Sequence, residues 1–247
     1  MAIFDGKSLK GSIGNLAFSK IGKLTVVKSK PGKGGVKQTE ATKKTASIFG
    51  MHISPFAKQI RLAFNTIHLG WYDGSMVSRM SSAISTIIYQ HIEGENDFDF
   101  NHGSFKRLEG FDFNTYSPLN ESLLVAPTVT YNNNLVSIET PSFTVSKNIR
   151  FPKNSSFCQL QVQVTVIDFK KRNTFNHPIE LIDIDKFDKT FDGKNFVLDI
   201  QGGDLVIIGI ALIFSESKHN EHRVVNGKLF HPAGIVAAKW FGAELGG

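Results

Sequence analysis

Residues 157–169 read FCQLQVQVTVIDF and residues 205–214 read LVIIGIALIF, and these two runs decide the fold class. In the first, Gln159, Gln161 and Gln163 alternate with Leu160, Val162 and Val164, the period of two expected of a strand with one wet face. The second is apolar at both parities, which predicts a central strand covered on both sides. Shorter strand-like runs surround them at 110–114, 123–131, 135–139, 195–200, 223–225 and 235–240. Turn residues separate these runs: Asn132-Asn133-Asn134, Asp192-Gly193-Lys194, Gly202-Gly203-Asp204 and the hairpin signal Asn226-Gly227. Short strands at this spacing predict an antiparallel, immunoglobulin-like β-sandwich over 94–247.

Upstream the period changes. Residues 41–51 have helical composition behind Thr39, a suitable N-cap. Ser54-Pro55 reads as a second helix start and as a break between helices. Phe56, Ile60, Ala63, Phe64 and Ile67 then recur at helical spacing until Gly70. A further helix follows Asp73-Gly74-Ser75, with Met76, Met80, Ala83, Ile84, Ile87 and Ile88 as its core stripe. Two or three helices over 38–93 therefore precede the β domain, and the fold class is α+β.

The first 37 residues form a third kind of segment. The runs 12–20 (SIGNLAFSK) and 23–29 (KLTVVKS) flank Gly22 and predict a β-hairpin arm, followed by the flexible link PGKGG at 31–35. Charge marks the same boundary. The net charge is +6, yet residues 1–44 hold ten lysines against Asp5 and Glu40, giving +8 and leaving −2 for the remainder. Lys7, Lys10, Lys20, Lys23, Lys28, Lys30, Lys33 and Lys37 are the candidate basic contacts, drawing any acidic partner or guarding an exposed sheet edge. Ile13, Leu16, Phe18, Leu24, Val26 and Val27 are the candidate interface, since a small hairpin cannot bury its own apolar side chains.

Chemistry-bearing motifs are few. The single cysteine, Cys158, excludes an intrachain disulfide and lies in a strand run as a small buried hydrophobe. The acids Asp183, Asp185, Asp188 and Asp192 lack calcium-loop spacing and read as a solvated loop. His219, His222 and His231 lack the H-E-x-x-H pattern and read as surface residues. GKGG has no Ser or Thr after Lys33, so it is not a P-loop, and no G-x-S-x-G elbow occurs. No catalytic residue, metal ligand or cofactor is expected. The start of the chain has no secretory pattern, and the longest apolar run, broken by Gly209, is too short to span a membrane. These features predict a soluble chain that begins in the cytoplasm, with a released virion-like particle as one destination.

The stretches LKGSIGNLAFSKIGKLTVVKSKPGKGG (9–35), ASIFGMHISPFAKQIRLAF (46–64), MVSRMSSAI (76–84), FKRLEGFDFN (105–114), LLVAPTVTY (123–131), IETPSFTV (138–145) and GGDLVIIGIALIFSE (202–216) together resemble a family of uncharacterised Bacteroidota proteins. The resemblance implies a basic glycine-bearing hairpin, a short helical region and a C-terminal β domain, and no assigned activity. The expected function is non-enzymatic: a structural protein packing with copies of itself or other subunits into a phage-like, tubular or filamentous particle. Nucleic-acid binding through the lysine-rich arm is the alternative. A sugar-binding or hydrolytic sandwich ranks behind both, because Trp71 and Trp240 are the only tryptophans and both adjoin apolar runs.

Overall fold

The computed structural model describes residues 2–4, 6–21, 24–30, 32, 37–94, 97–218 and 221–242. The chain divides into two compact units, Met1–Ser47 and Ile48–Gly247. It is a mixed α+β protein whose strand pairs are all antiparallel among the described residues.

The first unit is a four-stranded meander: β1 (Ala2–Phe4), β2 (Leu9–Ile13), β3 (Leu16–Ile21) and β4 (Leu24–Ser29), paired in chain order. The run 12–20, expected as one strand, is two. Gly14 takes φ +56°, a conformation that costs a residue without Cβ little, and the chain reverses at Gly14-Asn15. The turn expected at Gly22 and the link at Pro31 and 33–35 lie outside the described residues. Helix α1 (Glu40–Ile48) follows. The Thr39 hydroxyl accepts the Thr42 N–H at 3.2 Å, the capping bond that the sequence suggests.

In the second unit a π-helical turn (Phe49–Ile53) runs into α2 (Ser54–Ala63). Pro55 does not interrupt the backbone here. Proline is tolerated in a first turn, and the Ser54 N–H reaches back to the Phe49 carbonyl in the wider turn. Helices α3 (Asn65–His68) and α4 (Met76–His91) complete the group. Met76, Met80, Ile84, Ile87 and Ile88 of α4 are buried at the expected spacing.

The remaining elements are β5 (Phe111–Asp112), α5 (Leu119–Ser122), β6 (Thr128–Asn132), β7 (Leu135–Thr140), β8 (Phe143–Thr144) and α6 (Val145–Asn148). After them come β9 (Phe157–Asp168), β10 (Asn173–Asn176), β11 (Glu180–Asp185), β12 (Thr190–Phe191) and β13 (Lys194–Asp199). The chain ends with β14 (Leu205–Lys218), β15 (Glu221–Val224) and β16 (Ala233–Trp240). The main sheet has the order β10-β9-β14-β16-β5, with β11 also on β9 and β15 on β14. A second sheet has the order β13-β7-β6, and β12 pairs with β8.

The main sheet carries a core on each face. Leu160, Val162 and Val164 of β9 and Val206, Ile208, Ile210 and Leu212 of β14 share one core with Val136, Ile138 and Phe196 of the smaller sheet. Ile167, Leu205, Ile207 and Ala211 point the other way, into a core with Phe56, Ile60, Phe64, Ile84 and Ile88 of the helical segment. The helical residues beyond Ser47 thus share a core with the main sheet. They cover one face of the sheet, so the body departs from a two-layer immunoglobulin-like sandwich with wet outer faces. Gln163 records the difference. Expected on the wet face, it is buried, donates to the Ala63 carbonyl (2.8 Å) and accepts from the Thr66 hydroxyl (2.5 Å). Gly209 sits directly under the Phe64 ring, where no Cβ would fit.

Candidate assembly surface

Direct cross-strand partners in an antiparallel sheet share a face. In the first unit the register aligns Ala2, Gly11, Phe18 and Val27 in one row across all four strands. Phe4 and Leu9 flank that row on one side, and Ile13, Leu16 and Ser29 on the other. Ile13, Leu16, Phe18 and Val27, four of the six expected interface residues, therefore stand together with Phe4 and Leu9 on one face, called face A. The other two, Leu24 and Val26, lie on the opposite face B with Ile3.

Face A is uncovered. Phe4 is 66%, Ile13 57%, Val27 51% and Leu16 39% exposed, and among the described residues of this unit only Ser8 is buried. A four-stranded sheet without a core does not stabilise itself, because three or more strands need an apolar face packed against something. The lysines separate from this stripe. Lys10 and Lys28 project from face B, Lys20 stands beside Thr25 at one end of face A, and Lys7, Lys30 and Lys37 flank the strands or follow them. Lys23 and Lys33 lie outside the described residues.

Two polar clusters in the second unit escaped the reading of the sequence. Asp73, nearly buried, accepts from the Ser75 N–H (2.7 Å) and hydroxyl (2.5 Å), the Thr115 N–H (3.0 Å) and hydroxyl (3.1 Å), and Arg79 Nη2 (2.6 Å). Burial would raise its pKa, but these donors outweigh burial and hold the carboxyl well below the usual range. The cluster ties α4 to the segment after β5 and leaves no carboxylate oxygen open for chemistry.

His231, expected on the surface, is fully buried. Its Nε2–H donates to the Ile67 carbonyl at 2.8 Å, and its Nδ1 accepts from the Asn226 amide at 3.0 Å. The same amide donates to the Leu212 carbonyl while its oxygen takes the Phe214 N–H, which fixes its orientation. A second proton on His231 would confront a donor, so the ring is held neutral. Burial pushes its pKa down to about 4, opposed by the bond to Ile67. Asn226 is thus used through its side chain rather than in a two-residue hairpin. His219 lies outside the described residues.

Cys158 is buried in the core shared by the two sheets, and burial pushes its thiol well up. Asp183 and Asp185, expected in a solvated loop, lie on β11 and point outward while Ile182 and Ile184 point in. Among the described residues no group of three or more His, Cys, Asp or Glu side chains could hold a metal ion, and no helix is long and apolar enough to cross a membrane. A cavity of about 420 Å³ in the second unit is walled by His52, Phe98, Phe100, Phe169 and Trp240. Those rings pack mainly on one another, with Phe100 and Trp240 centroids 4.8 Å apart, and its rim mixes Asp97 and Asp204 with Lys170 and Arg172.

No family model and no curated protein matches the chain. A solved chain from work described as "CC2D1B coordinates ESRCT-III activity during the mitotic reformation of the nuclear envelope" aligns at 15% identity over 77% of this chain and 78% of its own. Its TM-score of 0.22 is too low to carry an argument about fold or role.

Proposed function

We propose that this is a non-enzymatic structural protein that self-associates, or packs with other subunits, into a larger phage-like, tubular or filamentous particle. The N-terminal sheet is the connector and the β-rich body the building block. In this reading the two sheets that share an apolar core act as a sandwich, stiffened by its added helical layer. One observation carries the proposal: face A exposes Phe4, Ile13, Leu16 and Val27 on a sheet with no core of its own. Leaving such side chains in water forgoes roughly 1.5–3 kcal/mol each, and packing against a neighbour recovers it. The test is light scattering after size exclusion on the intact chain and on residues 38–247, at low and high salt. Large species that persist in salt and vanish with residues 1–37 support the proposal. A monomer in every case removes self-association and leaves only packing with a foreign subunit.

A second reading, nucleic-acid binding, is favoured by Lys10 on β2 and Lys28 on β4 sharing face B. Phosphate contacts by lysines give binding that weakens steeply with salt. A gel shift lost on deleting residues 1–37 and abolished by salt would favour it over self-association.

A further inference from the structure

Resting on the reading of the first unit as a self-associating connector, we propose that its partner is face A of a second copy of this chain, related by a two-fold axis parallel to the strands. Three observations point to this arrangement. The first is charge. Pairing through face B would gather Lys10 and Lys28 of both copies into one contact, and like charges gathered there oppose association. Among the described residues face A has one lysine, Lys20, at the end of the stripe, where its stem can cover a neighbour while the ammonium stays in water.

The second is size. The central row runs small, small, large, large: Ala2, Gly11, Phe18, Val27. An axis parallel to the strands and midway between β2 and β3 keeps each row level and reverses its order. Gly11 then faces the second copy's Phe18, and Ala2 faces its Val27. In the next row Ile13 and Leu16 meet across the interface. Every bulky ring or branched chain of the central row finds a gap. An axis perpendicular to the strands would instead set Phe18 on Phe18 and Gly11 on Gly11, leaving a clash beside a void.

The third is extent. Four strands about 4.8 Å apart and three to six residues long present a face of roughly 19 by 17 Å, so each copy offers about 300 Å². This is less than half of the roughly 800 Å² that each partner contributes to a standard stable interface. The contact therefore forms reversibly with concentration and gains permanence only when several act together, as they do in a particle.

Cross-linking tests the geometry. Ala2→Cys and Val27→Cys chains are prepared separately, mixed, and treated with a short bismaleimide. Cys158 is buried and stays silent. A Lys10→Cys and Lys28→Cys mixture reports on face B. The expected result is a cross-linked dimer from the Ala2→Cys and Val27→Cys mixture, at least tenfold above either variant alone and above the face-B mixture. A loss of association in Val27→Glu but not in Lys28→Glu, seen by light scattering, also supports face A. Cross-linking through face B, or at neither face while the intact chain still associates, overturns this arrangement and leaves self-association standing. A strict monomer for the intact chain at high concentration overturns both. Association that requires added nucleic acid overturns the copy-to-copy pairing in favour of the basic face.

Discussion

Protonation of His231 offers a quantitative check on the second unit. An unfolded chain takes up a proton on this residue as the pH falls through its ordinary value of 6.5, whereas the folded one resists until about pH 4. The stability contribution of the neutral ring is therefore full above pH 6.5 and is lost as the pH falls between these values. The gap corresponds to about 3 kcal/mol. His68 and His177, whose pKa values burial also lowers, act in the same direction, while Asp112 and Asp204, raised by burial, oppose it near pH 4. Comparison with His231→Gln isolates the single site. Urea unfolding followed by tryptophan fluorescence is the assay, because Trp71 and Trp240 both lie in the second unit and Trp71 packs edge-on against His231 at 5.2 Å. The variant should be about 1–2 kcal/mol less stable at pH 7 through its lost hydrogen bonds. Its loss between pH 7 and pH 4 should be shallower than the wild type's by about 3 kcal/mol. Parallel pH profiles for the two proteins would refute a buried, neutral His231.

Other substitutions probe the layers separately. Gly209→Ala would place a Cβ 2.5 and 2.7 Å from Phe64 ring atoms and should cost about 1–3 kcal/mol in urea unfolding, partly recovered by adding Phe64→Leu. Asp73→Asn turns an amide toward donors that now serve a carboxylate and should cost about 3 kcal/mol at neutral pH. The depressed carboxyl contributes stability above its ordinary value of 3.8 that is lost as the pH falls below it, so the variant should also lack the wild type's loss in that acid range. Gln163→Leu leaves the Thr66 hydroxyl without its acceptor on β9 and should cost about 1–3 kcal/mol, with faster amide exchange over residues 64–68.

Strong periodicity made most of the body legible. The α4 stripe and strands β7, β9, β13, β14 and β16 follow from side-chain alternation or apolar runs alone. Strand β11 did not, because the acids of ELIDID drew the eye toward a loop although Ile182 and Ile184 keep the period of two. Strand β10, NTFN, has no buried residue and exists by pairing with β9. Gln163 misled because a glutamine bonded to a helix end and one facing water occupy the same place in an alternating run. His231 carried a usable signal in the apolar HPAGIVAA that follows Phe230, but one of its partners, the Ile67 carbonyl, comes from a distant part of the chain. On the arm, residue type identified the apolar candidates, yet only the register separates Leu24 and Val26 from Ile13, Leu16, Phe18 and Val27. Register depends on where the turns fall, and the reversal at Gly14-Asn15 was hidden within a run of strand-forming residues.

Sedimentation equilibrium over a wide concentration range, on the wild type and on Phe18→Glu/Val27→Glu, tests the central claim most directly. Neither substitution enters a core of the second unit. Self-association through face A predicts a wild-type mass rising above 27.3 kDa with concentration and little altered by salt, and a variant fixed at 27.3 kDa with unchanged tryptophan fluorescence. Equal masses for the two proteins at every concentration would contradict it.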